Sequence, residues 1–208
     1  AIVIGIIFFL TGIIFSGNIA TLLGANKQVY HMTSIYLKVL LMFGPAFVLN
    51  NVMNAFVRND GNPRLSMIAM LVGSFGNIIL DYLLVIKFSM GMFGAVLATG
   101  FSPIMGLMVL SGHIVSENSN IKFKVAKIRA SFIKSIIMLG IPSFVAEMSS
   151  GIVIFVFNII ILGLQGNVGV AAYGVIANLA LVVISIYTGV AQGSQPLFSA
   201  AYGKNDKK

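Results

Sequence analysis

An all-α integral membrane protein is the fold class this sequence predicts, and three observations carry the prediction. Hydrophobic residues make up 58% of the 208 residues and charged residues only 9%, whereas a soluble domain has roughly a quarter of its residues charged. The apolar residues gather in runs long enough to cross a bilayer core of about 30 Å, which takes about 20 residues at helical rise. The basic residues are also unevenly spread: ten of the thirteen Lys and Arg fall in alternate loops or at the chain end, as the positive-inside rule describes.

Six spans follow in order. The first, 1–23, carries no charge and closes at "GANKQVYHMT". The second, 33–57, contains Pro45 and ends at "RNDGNPR", whose Gly, Asn and Pro belong to a turn. The third, 64–88, has Arg64 and Lys87 at its ends and Asp81 inside an otherwise mostly apolar run, and gives way after the short "SMGM" to the fourth, 91–116. In that fourth span Gly94, Ala98, Ser102 and Gly106 repeat every four residues, the pattern that lets membrane helices approach closely. The fifth and sixth, 133–163 and 168–200, are separated by the small "GLQGNVG". Pro45, Pro103, Pro142 and Pro196 lie inside spans, where each removes a backbone donor and favours a kink.

The longest connector, "NSNIKFKVAKIRASFIK", is the natural boundary between two helical groups. Ile121, Val125, Ile128 and Phe132 recur there at helical spacing among Lys122, Lys124, Lys127 and Arg129, which fits a surface amphipathic helix as well as a solvated basic loop. The organisation expected is 1–118, a connector at 119–134, and 135–208. The charge asymmetry puts the basic loops and both chain ends in the cytoplasm. It therefore accounts for the net charge of +8 without nucleic acid as a partner. The chain opens at Ala1 inside an apolar run and closes on "GKNDKK", so a fragment of a longer protein is expected.

Two of the five acids, Asp81 and Glu147, fall inside spans. A carboxylate at a helix centre costs about 2.5–3.5 kcal/mol on insertion scales, so it persists where it faces a polar interior or carries a proton. Asn77 lies one helical turn before Asp81, with Ser74 and Gly73 a further turn back. An amide and a carboxylate one turn apart can share a proton or offer oxygens to a small cation. Glu147 has Ser143, Ser150, Gly151 and Asn158 near one stripe. The alternative for either acid is a packing role, held by hydrogen bonds between helices. The serines have a stronger one, because a hydroxyl can bond back to its own helix. His31 and His113 fall at span ends and read as interfacial residues rather than ligands.

Nothing in the sequence points to an enzyme. Cysteine is absent, and neither HExxH, GxSxG nor a glycine-rich phosphate loop occurs. No cofactor and no resident metal is expected.

The segment "FVRNDGNPRLSMIAMLVGSFGNIILDYLLV" followed by "MGMFGAVLATGFS" resembles the fourth-to-sixth helix region of the multidrug and toxic compound extrusion (MATE) transporters. "LGIPSFVAEMSSGIVIFVFNIIILGLQGNVGVAAYGVIANL" and "GVAQGSQPLFSAAYGKND" resemble their seventh and eighth helices. The resemblance implies a twelve-helix, two-lobed transporter of the bacterial plasma membrane, of which this chain holds helices three to eight. It would comprise the last four helices of the N-terminal lobe, the connector and the first two helices of the C-terminal lobe. It also implies a secondary antiporter that exports lipophilic, mostly cationic drugs in exchange for H+ or Na+, with membrane lipids and the remaining helices as its partners. By the same resemblance, Asp81, Asn77 and Thr99 match the family's first-lobe cation site and Glu147 its second-lobe acid; Ser74, Ser143 and Ser150 are candidate supporting polar groups by their helical spacing from these residues. Two rivals stand beside it. One is a lipid-linked oligosaccharide flippase of the same superfamily, which would call for mid-span arginines that are absent here. The other is a non-transporting scaffold, which leaves the two acids without a use.

Overall fold

The computed structural model describes residues 1–25, 27, 29–115 and 130–203. Every regular element among them is helical, in the order α1 (Ile2–Leu22), α2 (Tyr30–Met42), α3 (Gly44–Asn59), α4 (Pro63–Asp81), a π-helical turn (Tyr82–Lys87), α5 (Gly91–Val115) and α6 (Ala130–Gly203). The chain divides into two compact units, residues 1–122 and 123–208. The amphipathic segment expected at 121–132 lies almost entirely outside the described residues.

In the first unit the expected span 33–57 is broken. α2 and α3 meet at an angle of 47°, and the break falls at Phe43. Pro45 is the cause: it sits in the first turn of α3, where its missing N–H is not needed, and it cannot supply the hydrogen bond that would carry α2 onward. The third span runs from Pro63 to Lys87, but its last six residues take the wider π geometry immediately after Asp81. Such turns interrupt the regular hydrogen-bond ladder and occur often at functional sites.

Lipid gives apolar side chains no reason to cluster, so close packing carries helix association. Small residues supply it here. The buried positions of α1 are Gly5, Gly12, Ser16 and Ala20. A Cβ on Gly5 would stand 2.7 Å from the Pro45 Cα, and one on Gly12 would stand 2.5 Å from the Leu41 Cβ, so α1 seats directly on α2 and α3. On α5, Gly94, Ala98 and Gly106 are buried and Ser102 is half-buried, which is the face that the four-residue repeat predicts. Gly73 of α4 approaches the Ser102 carbonyl, and Gly94 approaches the Leu84 carbonyl. At the end carrying Arg58 and Arg64, fully buried Val57, Ala69 and Leu110 knit α3, α4 and α5 together, with Met53, Leu65 and Val109 packed around them. Most large apolar side chains, Ile14, Phe75 and Ile78 among them, are instead exposed, as helices facing hydrocarbon require.

The second unit is α6 alone. Gly166 interrupts it with φ 65° and ψ −157°, a conformation that favours glycine. The Phe157 and Tyr173 rings stack at 5.6 Å although sixteen positions separate them, a distance of about 24 Å on an unbroken helix. The chain therefore folds back at Gly166, inside the "GLQGNVG" segment expected to separate the last two spans.

Candidate functional site

Asn77 and Asp81 sit in the last turns of α4, one helical turn apart, and both are half-buried. α5 runs antiparallel beside them. Because Gly73 meets Ser102 and Gly94 meets Leu84, Thr99 falls at about the level of Asn77, one helical turn from that of Asp81. The residues expected to act together in the first unit thus lie within about one helical turn of each other along the α4 and α5 pair. Helix contact at this level is held by the Ser102 hydroxyl, which donates to the Gly73 carbonyl at 2.9 Å. The Thr99 hydroxyl donates to the Ala95 carbonyl at 2.9 Å, which fixes its hydrogen and leaves its oxygen lone pairs available.

The Nδ2 of Asn77 is buried and has no hydrogen-bond partner. An unmet buried amide costs about 1–3 kcal/mol, so it marks a position where a ligand group, water or ion would be stabilising. A carboxylate, an amide and a hydroxyl together form an oxygen-rich donor set suited to a hard cation or a proton. Ser74, the neighbour of buried Gly73, is exposed on α4.

Ser143, Glu147 and Ser150 lie on the first half of α6, in the second unit, and all three are exposed there. Ser150 spends its hydrogen on the Ala146 carbonyl at 3.2 Å, the helix-bonded alternative anticipated for the serines. A cavity of about 290 Å3 in this unit, lined by Ile161, Gln165, Gly169 and Tyr173 among others, contains none of the expected site residues.

A second polar cluster went unread in the sequence. His113, at the end of α5, is packed between helices: it is 5% exposed, and its Nε2 lies 2.8 Å from Asp60 Oδ2. Asn62 Nδ2 faces His113 Nδ1 at 3.4 Å. One turn further along α4, the Ser66 hydroxyl donates to Asn54 Oδ1 at 2.8 Å, and the Asn54 amide donates to Asn50 Oδ1 at 3.4 Å. His113 and Asp60 stand 53 positions apart, so no local spacing announces them. The only signal was the choice of a histidine and an aspartate at neighbouring span ends. Among the described residues no group of three or more His, Cys, Asp or Glu side chains could hold a metal.

The MatE family matches residues 1–83. The chain is 31% identical over 206 residues to the multidrug export protein MepA of Staphylococcus aureus (strain bovine RF122 / ET3-1), covering 98% of this chain and 46% of that protein. It superposes on an inward-facing multidrug resistance MATE family transporter of the MOP superfamily with a TM-score of 0.80 at 26% identity, covering 99% of this chain and 48% of the other. An outward-facing structure of the same description gives 0.78 at 27% identity, covering 98% and 47%. The chain therefore spans about half the length of the relatives it matches.

Proposed function

This chain belongs to the MATE family, and we propose that it forms part of a secondary active antiporter exporting lipophilic, mostly cationic compounds in exchange for H+ or Na+. It is a multi-pass protein of the plasma membrane, with apolar helices long enough to span it. In this reading residues 1–118 are the last four helices of one lobe, 119–134 the connector, and 135–208 the first two helices of the other. Membrane lipid surrounds both groups, and the remaining helices complete them.

The coupling site is Asp81, supported by Asn77 and Thr99. The observation that carries this is the buried, partnerless Asn77 amide nitrogen one helical turn from a carboxylate in a membrane-spanning segment. Coupling requires the ion to bind the two conformations of the transporter with different free energies. A carboxylate at a helix junction meets that need, because its surroundings change whenever the π-helical turn or α5 shifts. Binding of a cation neutralises Asp81, and drug and cation then alternate at the lobe. Glu147 is a second acid for a cation or a cationic drug, assisted by Ser143 and Ser150, with Ser74 supporting the first site.

Drug uptake into everted vesicles carrying the full-length protein tests this, with proton and sodium gradients imposed separately. Uptake that follows one gradient and disappears in Asp81→Asn at equal expression supports the reading. Undiminished uptake in that variant makes Asp81 a packing acid and refutes its role.

A further inference from the structure

The Asp60, Asn62 and His113 cluster contains a buried titratable ring that ion coupling at Asp81 does not use. It joins three elements: Asp60 caps the end of α3, Asn62 is the N-cap of α4, and His113 stands in the last turn of α5. The Asp60 carboxylate can only accept, so the 2.8 Å contact requires a hydrogen on Nε2. The Asn62 amide is committed at both ends. Its Oδ1 accepts from the Leu65 N–H at 3.2 Å, the bond that caps α4, while its Nδ2 donates toward His113 Nδ1 at 3.4 Å.

This arrangement suits one protonation state of the ring, with Nδ1 bare and accepting. When His113 takes up a proton, Nδ1–H becomes a donor and meets the Asn62 NH2, which is also a donor. Turning the amide over would give the ring an oxygen, but that same oxygen would have to leave the Leu65 N–H. We infer that His113, Asp60 and Asn62 form a proton-operated switch on the N-cap of α4: neutral His113 holds the cap closed, and protonated His113 opens it.

Histidine is the side chain whose ordinary charge change falls between pH 5 and 8, the range over which such a device is tested. The charged groups at this end of the packed elements are Asp60 and half-buried Arg58 at the end of α3 and exposed Arg64 in the first turn of α4. Glu117, beyond α5, lies outside the described residues. The helix whose start is switched is the one that carries Asn77 and Asp81. The inference does not rest on the transport reading, and its readout needs no drug.

The test is a pH titration of the full chain in detergent micelles, followed by NMR with labelled histidine. Arg–Leu occurs once in the sequence, so carbonyl-labelled arginine with 15N-leucine singles out the Leu65 amide. The ring is expected to titrate between pH 5 and 8 from the Nε2–H tautomer, and the Leu65 resonance to move with the same midpoint. Leu65 hydrogen exchange, corrected for its intrinsic pH dependence, should rise roughly five- to tenfold at the acidic plateau, the worth of one cap. In His113→Gln the Leu65 resonance should stay flat. A Leu65 amide indifferent to the ring's titration overturns the switch, as does a ring that keeps one charge across this range or a transition that survives in His113→Gln. The wild-type titration decides the matter alone if that variant does not fold.

Discussion

Alanine at Gly12, Gly73 and Gly112, introduced one at a time, separates helix approach from helix propensity within the first unit. Each change gains at most about 1 kcal/mol, because alanine loses less backbone freedom than glycine on entering a helix. At Gly112 a Cβ meets nothing within 4 Å, so the gain stands alone. At Gly73 it would lie 3.1 Å from the Ser102 carbonyl oxygen, so α5 must give way by a few tenths of an ångström, and gain and strain nearly cancel. At Gly12 the Cβ would lie 2.5 Å from the Leu41 Cβ and 3.2 Å from the Lys38 carbonyl. Neither atom is the free end of a side chain, so α1 must move off α2. Forcing an extra methyl into a packed contact costs about 1–3 kcal/mol, which leaves Gly12→Ala less stable than the parent by up to about 2 kcal/mol. The span from Gly112→Ala to Gly12→Ala is then the strain term alone, about 1–3 kcal/mol, a factor of roughly 5 to 150 in the folded-to-unfolded ratio. Reversible unfolding of the chain in mixed micelles, titrated with SDS and read by far-ultraviolet circular dichroism, measures this order. Equal midpoints for Gly12→Ala and Gly112→Ala would refute the claim that α1 is seated through its glycines.

Two further substitutions act near Asp81. Ser102→Ala removes the hydroxyl that donates to the Gly73 carbonyl and should cost about 0.6 kcal/mol, the average for hydrogen bonds between membrane helices, in the same unfolding titration. Asn77→Leu replaces a buried amide whose nitrogen has no partner, so it should leave stability unchanged or raise it by up to about 1–3 kcal/mol while abolishing cation-driven drug uptake by the full-length protein. Loss of stability and activity together would make Asn77 a structural residue.

The legible parts of the fold were those written in local periodicity. The four-residue repeat from Gly94 to Gly106 is a property of one helix face, and that face is packed. Pro45 announced the break between α2 and α3, and the glycines of "GLQGNVG" announced the fold-back at Gly166, because both residue types act through their own backbone. Asn77 and Asp81 were legible as neighbours for the same reason. Thr99 joined them only through the resemblance, since its level beside α4 depends on how two antiparallel helices slide against each other. The π-helical turn after Asp81 has no signature in "YLLVIK", an ordinary apolar stretch whose geometry is set by its packing on α5 around Gly94. The hydrogen bond of His113 with Asp60 was invisible because it is made by two span ends that meet only in the folded bundle.

Competition between drug and cation tests the central claim most directly. Drug affinity is measured in the purified full-length protein as pH and Na+ are varied independently, for wild type and Asp81→Asn. If Asp81 is the coupling site, one cation weakens drug binding in the wild type, the drug weakens that cation's binding by the same factor, and both effects vanish in Asp81→Asn. A drug affinity that responds to the cation equally in both proteins would contradict the account and remove Asp81 from the coupling step.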